Sequence, residues 1–284
     1  MPCHPQSCHH LHVTVGEGLW ASLNQLSERT GDSLNHIVRS SLASTLDIDH
    51  HTIYQVSTSG ALVQGVYQGC VKVADIRRHG DFGLGTFDSL DGEGIMLDGR
   101  CWQARSDGTV TEAPDDAEAP FWAATFFAAD ITTTFDQVTS WEDLTQQLDA
   151  LRRSDNLFCA IRVDGVFDQI QWRVACRTEP GTDLVHATNN QAEFQRQNVQ
   201  GSLVGFWTPE YARTINVPGF HLHLLSEDRC YGGHILDLKA SNLKVSVHLD
   251  NNLHLALPET PAFLAADLTE DPAKALAQAE NKHH

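Results

Sequence analysis

The stretch Gly219-Phe220-His221-Leu222-His223, followed by the polar turn Ser226-Glu227-Asp228-Arg229 and closed by Gly232-Gly233-His234, decides how this chain is read. Side chains two residues apart on a strand leave the same face, roughly 6.5–7 Å apart along the chain. His221 and His223 can therefore grip one ion while Leu222 turns into the core behind them. The polar turn lets a hairpin bring His234 back beside the pair. Three neutral imidazoles with an open fourth position describe a catalytic metal site rather than a structural one.

The chain has 16 histidines, so these three must be weighed against the rest. A lone histidine is more often a core or surface residue than a ligand, and His186, His248 and His254 are read that way. Cys8, His9, His10 and His12 form a rival cluster, but on a strand with no enclosing pocket. His283-His284 can bind metal only adventitiously. The trio at 221, 223 and 234 differs in its apolar β context and flanking glycines.

Bulk properties narrow the function classes. The 284 residues can build one large domain or two to three smaller ones, and 41% hydrophobic with 20% charged residues is ordinary for a soluble globular protein. A net charge of −18, from 19 basic and 37 acidic residues, argues against nucleic-acid backbones and anionic membranes as partners. No membrane span and no signal peptide are expected. The seven cysteines form no C-x-x-C pair, so a reduced, cytoplasmic protein is expected.

Residues 1–50 read as a small separate unit. His10-Leu11-His12-Val13-Thr14-Val15 alternates as a strand does. Leu19, Leu23 and Leu26 recur at helical spacing, and Gly31 is a C-terminal cap. Asp32 or Ser33 caps a second helix carrying Leu34, Ile37, Val38 and Leu42. This strand-helix-helix pattern resembles the ribbon-helix-helix family of DNA-binding dimers. Its charge argues against that use, since Arg29 and Arg39 are the only basic residues there. An oligomerisation role is expected instead.

Residues 51–284 read as an α+β catalytic region with two mixed or antiparallel sheets, a first β-rich half (about 51–150) and a second half carrying the ligands (about 151–284). Strands are expected at 53–56, 94–97, 121–127, 158–163, 203–207 and 234–238, and helices at 141–151 and 272–280. Asp107-Gly108 and Asp164-Gly165 are read as hairpin turns. Arg78-His79-Gly80-Asp81-Phe82-Gly83-Leu84-Gly85-Thr86-Phe87 is not a phosphate loop, because no third glycine opens a helix and no Gly-Lys-Ser/Thr follows. It is read as a glycine-rich turn leading into a hairpin. In Leu90-Asp91-Gly92-Glu93 a tight turn can aim the Glu93 carboxylate into a pocket. His221-x-His223 with Glu227 also opens a cupin-like signature, but His234 comes too early to complete it.

Five ordered blocks then carry a resemblance: Tyr54-Gln55-Val56-Ser57-Thr58, the run 79–87, Leu90-Asp91-Gly92-Glu93, Gly205-Phe206-Trp207-Thr208-Pro209, and Asn216-Val217-Pro218-Gly219 through His234. From about residue 51 onward the chain resembles the α-acetolactate decarboxylase family. The resemblance implies zinc (Zn2+) held by His221, His223 and His234, with Glu93 approaching the metal. It also implies a substrate-binding arginine, best matched by Arg173, and a C-terminal glutamate folded back into the site, matched by Glu280. Departures leave rivals open. Arg177 competes with Arg173 because Trp172-Arg173-Val174-Ala175-Cys176-Arg177 lacks the family's Thr-Val-Pro continuation. Glu259 competes with Glu280, and Gly94 stands where the family has Met.

The implied reaction is decarboxylation of (S)-2-acetolactate to (R)-acetoin and CO2 through a zinc-stabilised enediolate, feeding acetoin and 2,3-butanediol formation. Zinc as a Lewis acid removes the need for an organic electron sink. The chain agrees, with no cofactor motif and none of its five lysines marked for a Schiff base. Either Glu93 or Glu280 delivers the final proton, with Glu93 favoured because its turn fixes it. A homodimer is expected. The alternatives are a cupin-like metal oxygenase, or a DNA-binding or metabolite-sensing regulator acting through residues 1–50.

Overall fold

The computed structural model describes residues 11–31, 33–46, 51–179, 181–189 and 191–280, except for the side chain of residue 280. Two compact units separate at His50/His51. In the first, Glu17–Thr30 and Leu34–Thr45 are helices. Gly31 closes the first helix with φ 77°, and Ser33 caps the second by accepting the His36 N–H at 3.1 Å. The expected strand is not formed at residues 11–15, which lie in irregular, mostly exposed backbone. The cause is physical: a strand needs a ladder partner for its N–H and C=O groups, and that segment pairs with nothing in any described sheet. His10 lies outside the described residues. Leu19, Trp20, Leu42 and Leu46 remain exposed.

The second unit is built from two sheets, with an added two-stranded pair, Val71–Lys72 and Glu118–Ala119. The first sheet runs in the spatial order Asn252–Ala256, Thr52–Val56, Phe121–Thr125, Phe82–Thr86, Glu93–Leu97, Arg100–Ala104 and Val110–Glu112. Its pairs are antiparallel except the first, where Thr52–Val56 lies parallel to Asn252–Ala256. The second sheet orders Phe158–Val174, Ala192–Thr208, Gly219–Ser226, Gly232–Asp250 and Ile131–Val138. Gly232–Asp250 also pairs back onto Phe158–Val174, so four of these strands close into a ring. Apolar residues of both sheets, among them Leu84, Ile95, Ala123, Ile161, Leu203 and Leu222, share one buried cluster. That sandwiched core fixes the two sheets against each other, as a paired-layer fold requires.

Several strands are longer than the sequence suggests. Phe158–Val174 passes straight through Asp164-Gly165, where a hairpin was expected. Both neighbouring strands keep pairing across that point, and the register shift between Asp164 and Phe167 marks a bulge rather than a reversal. Asp107-Gly108 does turn, with Gly108 at φ 86° and the Arg105 N–H bonded to the Thr109 carbonyl. The stretch read as a glycine-rich turn is the strand Phe82–Thr86. Its Gly85 lies opposite Gly94, and the Trp122 ring fills the space both leave: a Cβ at Gly94 would stand 2.4 Å from that ring. The two main helices of this unit are Trp141–Asp149 and Ala273–Glu280, close to expectation. No described helix is long and apolar enough to cross a membrane.

Candidate metal centre

His221, His223 and His234 present ring nitrogens that all lie within 4.8 Å of one another. The register explains how. His223 sits directly opposite His234 across the antiparallel pair, and His221 shares the face of His223. Leu222 between them is fully buried in the core cluster. The Nε2 atoms of His221 and His223 face each other at 3.1 Å. Burial, with His223 and Arg173 beside it, holds the His221 pKa well below the usual imidazole value, so this ring stays neutral.

These donors fit a divalent ion of the zinc class. The His223 Nδ1 lies 3.0 Å from the Gly94 carbonyl, an acceptor that requires the proton on Nδ1 and leaves Nε2 a bare donor. The His223 Nε2 lone pair therefore faces His221 Nε2 at 3.1 Å, a gap that a proton on His221 or a shared cation bridges. Three imidazoles gathered in this way, His223 and His234 buried and His221 half-buried, are the ligand chemistry of an open zinc site.

Glu93 comes to the trio from the first sheet. Its turn is unusual: Ser89 and Leu90 have φ of 61° and 53°, and Gly92 has φ 90°. A buried leucine in the left-handed region is an outlier held by its surroundings. A Cβ on Gly92 would meet the Ala104 carbonyl at 2.0 Å, so the chain turns closely over the neighbouring strand there. Thr86 Oγ1 donates to the Gly92 carbonyl at 2.8 Å, and Gln103 donates to the Asp91 carboxylate at 3.2 Å. Glu93 Oε1 accepts the Ala175 N–H at 3.0 Å, and Oε2 stands 3.6 Å from His223 Nε2. Burial raises the Glu93 pKa, against the opposing pull of Arg173 and the Ala175 N–H.

Arg173, nearly fully buried, lies across its strand pair from His234 and lines the same cleft. Arg177, its rival, is exposed and does not line it. Glu280 is the last residue of the helix Ala273–Glu280, whose Leu276 lines the cleft; its side chain lies outside the described residues. Glu259 is exposed on a connecting segment. Cys8, His9 and His10 and the pair His283-His284 lie outside the described residues, and His12 is exposed.

The cleft, with about 70 Å³ of room, has two halves. Thr86, Glu93, Arg173, Thr188 and the three histidines form the polar half. Leu62, Leu90, Phe121, Leu184, Val217 and Leu276 form the apolar wall. Of the wall, only Leu90 and Val217 lay within matched blocks, with no assigned role; Leu62, Phe121, Leu184 and Leu276 were not given one either, nor was Thr188. Thr86 lay within a matched block but carried no assigned role.

Comparison with known proteins gives a consistent result. Residues 53–270 match the family described as alpha-acetolactate decarboxylase. The alpha-acetolactate decarboxylase of Methylococcus capsulatus is 38% identical over 247 residues, covering 87% of this chain and 95% of that protein. That of Bacillus subtilis is 42% identical over 217 residues, covering 76% and 85%. A crystal structure of the Bacillus subtilis enzyme superposes with a TM-score of 0.79 at 40% identity, covering 81% of this chain and 100% of that one. Residues 1–52 lie outside the family match, whereas the histidine trio, Glu93 and Arg173 lie inside it. The chain belongs to the alpha-acetolactate decarboxylase family.

Proposed function

We propose that this chain is an acetolactate decarboxylase, a carboxy-lyase that converts (S)-2-acetolactate to (R)-acetoin and CO2 with zinc at His221, His223 and His234. The observation that carries the reading is the convergence of three imidazoles, a buried carboxyl and a buried guanidinium in one half-apolar cleft. Family membership favours this reading over a cupin-like oxygenase or a DNA-binding regulator.

Zinc, when bound, supplies Lewis-acid stabilisation of the negative charge that develops on the substrate oxygens. The protein's own groups do the rest. Arg173 binds and orients the carboxylate by charge-assisted hydrogen bonds. Leu62, Phe121, Leu184, Val217 and Leu276 pack the methyl groups and keep water from the reacting carbon. The C–C bond to the carboxylate breaks, CO2 leaves, and the electron pair stays on the carbon between the hydroxyl and the ketone. Glu93, held in place by the Ala175 N–H and with its pKa raised by burial, is positioned to deliver a proton to one face of that carbon. Delivery from a fixed carboxyl yields a single enantiomer. Glu280 is the second candidate for this proton, on the strength of the family resemblance alone.

A homodimer and a cytoplasmic setting accompany this reading. The apolar side chains that residues 11–46 leave exposed support the first. Chiral analysis of the product tests the chemistry: acetolactate should give one acetoin enantiomer with one CO2 and no oxygen uptake. Consumption of O2 by an iron-loaded protein would instead return the oxygenase.

A further inference from the structure

We propose that Gln191 is a positioning residue that holds the Arg173 guanidinium toward the substrate's carboxylate, an inference that rests on the decarboxylase reading above. Arg173 Nη1 donates to Gln191 Oε1 at 2.7 Å. Gln191 Nε2 in turn donates to Glu193 Oε1 at 3.2 Å. The orientation of the amide is unambiguous from chemistry. A guanidinium can only donate, so the oxygen must face Arg173; a carboxylate can only accept, so the nitrogen must face Glu193.

The backbone places this chain of contacts. Arg173 lies directly opposite Glu193 in the pairing of Phe158–Val174 with Ala192–Thr208. Gln191 is the residue just before that second strand, at its entry from the segment carrying Thr188, which lines the cleft. Arg173 is only 5% exposed, while Glu193 is exposed to solvent. Gln191 thus bridges a buried cation in the cleft to a carboxylate at the surface.

The neutral amide matters as much as the contact. A guanidinium presents its five donors in a rigid planar fork, so fixing one nitrogen fixes the direction of the others. Gln191 fixes Nη1 without adding a negative charge to the cleft. A carboxylate at the same place would orient the fork equally well but would compete with the substrate's own carboxylate for it. Orientation and charge are therefore separable at this one position.

The test uses the full-length, zinc-loaded protein with two ligands that cannot react: the 2,3-dihydroxy acid of the substrate's carbon skeleton, and the matching neutral diol. Both lack the ketone, and only the first has a carboxylate. Gln191→Leu should weaken the dihydroxy acid by about tenfold and leave the diol within about twofold, the size of one lost hydrogen bond to a charged group. Gln191→Glu, which keeps the shape and the acceptor, should also weaken the acid selectively, and should raise KM for acetolactate more than it lowers kcat. The neutral Gln191→Leu should have no further effect on binding when Arg173 is already changed to Ala. Equal loss for both ligands, no loss for either, or an undiminished effect of Gln191→Leu in the Arg173→Ala background overturns the proposal. If the unaltered protein makes no acetoin, the decarboxylase reading fails, whatever the Gln191 variants do.

Discussion

Replacing Glu93 by Gln isolates the proton-delivery role most cleanly. The substitution is nearly isosteric, and the amide oxygen can still accept the Ala175 N–H that Oε1 accepts at 3.0 Å. Its other oxygen stands 3.6 Å from His223 Nε2, beyond hydrogen-bond distance, so the histidine trio should hold its place. What is lost is the acidic proton. Positioned general acids contribute about 10²–10⁴ in rate, which corresponds to about 3–5 kcal/mol of barrier. Glu93→Gln should therefore keep one zinc per chain by elemental analysis and lose turnover by that factor in an acetoin assay. His223→Ala is the contrast. It removes a proposed zinc ligand and should lose both zinc and activity. Retained zinc with full activity in Glu93→Gln would remove Glu93 from the mechanism and pass the role to Glu280.

Three further outcomes follow from other parts of the molecule. His248 is buried, which alone would lower its pKa, but Asp250 and Asp130 beside it raise the pKa to about 10. A histidine whose folded pKa exceeds its unfolded value of about 6.5 adds stability that is fully present below pH 6.5 and lost as pH rises through about 10. Thermal midpoints should fall across that window in the native protein and fall less in His248→Gln; parallel curves would refute the assignment. Gly94→Met should cost about 1–3 kcal/mol in denaturant unfolding, because its Cβ would lie 2.4 Å from the buried Trp122 ring. Deleting residues 1–50 should leave kcat/KM for acetolactate within about twofold, the scatter expected of a change that touches no catalytic group. All described residues lining the cleft lie beyond residue 50, and a folded but inactive truncation would show that the N-terminal unit takes part in the chemistry.

Legibility in the sequence followed the range of the interaction. The His221-x-His223 spacing is a local statement about one strand face, and the register His223↔His234 realises it. The caps at Gly31 and Ser33 are equally local. The Asp164-Gly165 step misled because the signal for a turn and the signal for a bulge are the same two residues. Only the partners on either side, Ser202-Gly201 and Lys244, decide between them. Gly83 and Gly85 misled for a similar reason. Their lack of side chains answers the close approach of the Phe121–Thr125 strand and the Trp122 ring, not a reversal of the chain. The apolar wall was invisible because Leu62, Phe121, Leu184 and Leu276 come from separate segments with no shared period. Gln191 was missed because nothing near it in sequence announces a buried arginine 18 residues earlier.

The central claim is that the trio His221, His223 and His234 holds a metal without which acetolactate is not decarboxylated. The most direct measurement is acetoin formation by the purified chain before chelation, after removal of metal, and after zinc is restored. The account predicts turnover, its loss on chelation with the fold retained by circular dichroism, and its return with one equivalent of zinc. Undiminished turnover by metal-free protein would contradict it.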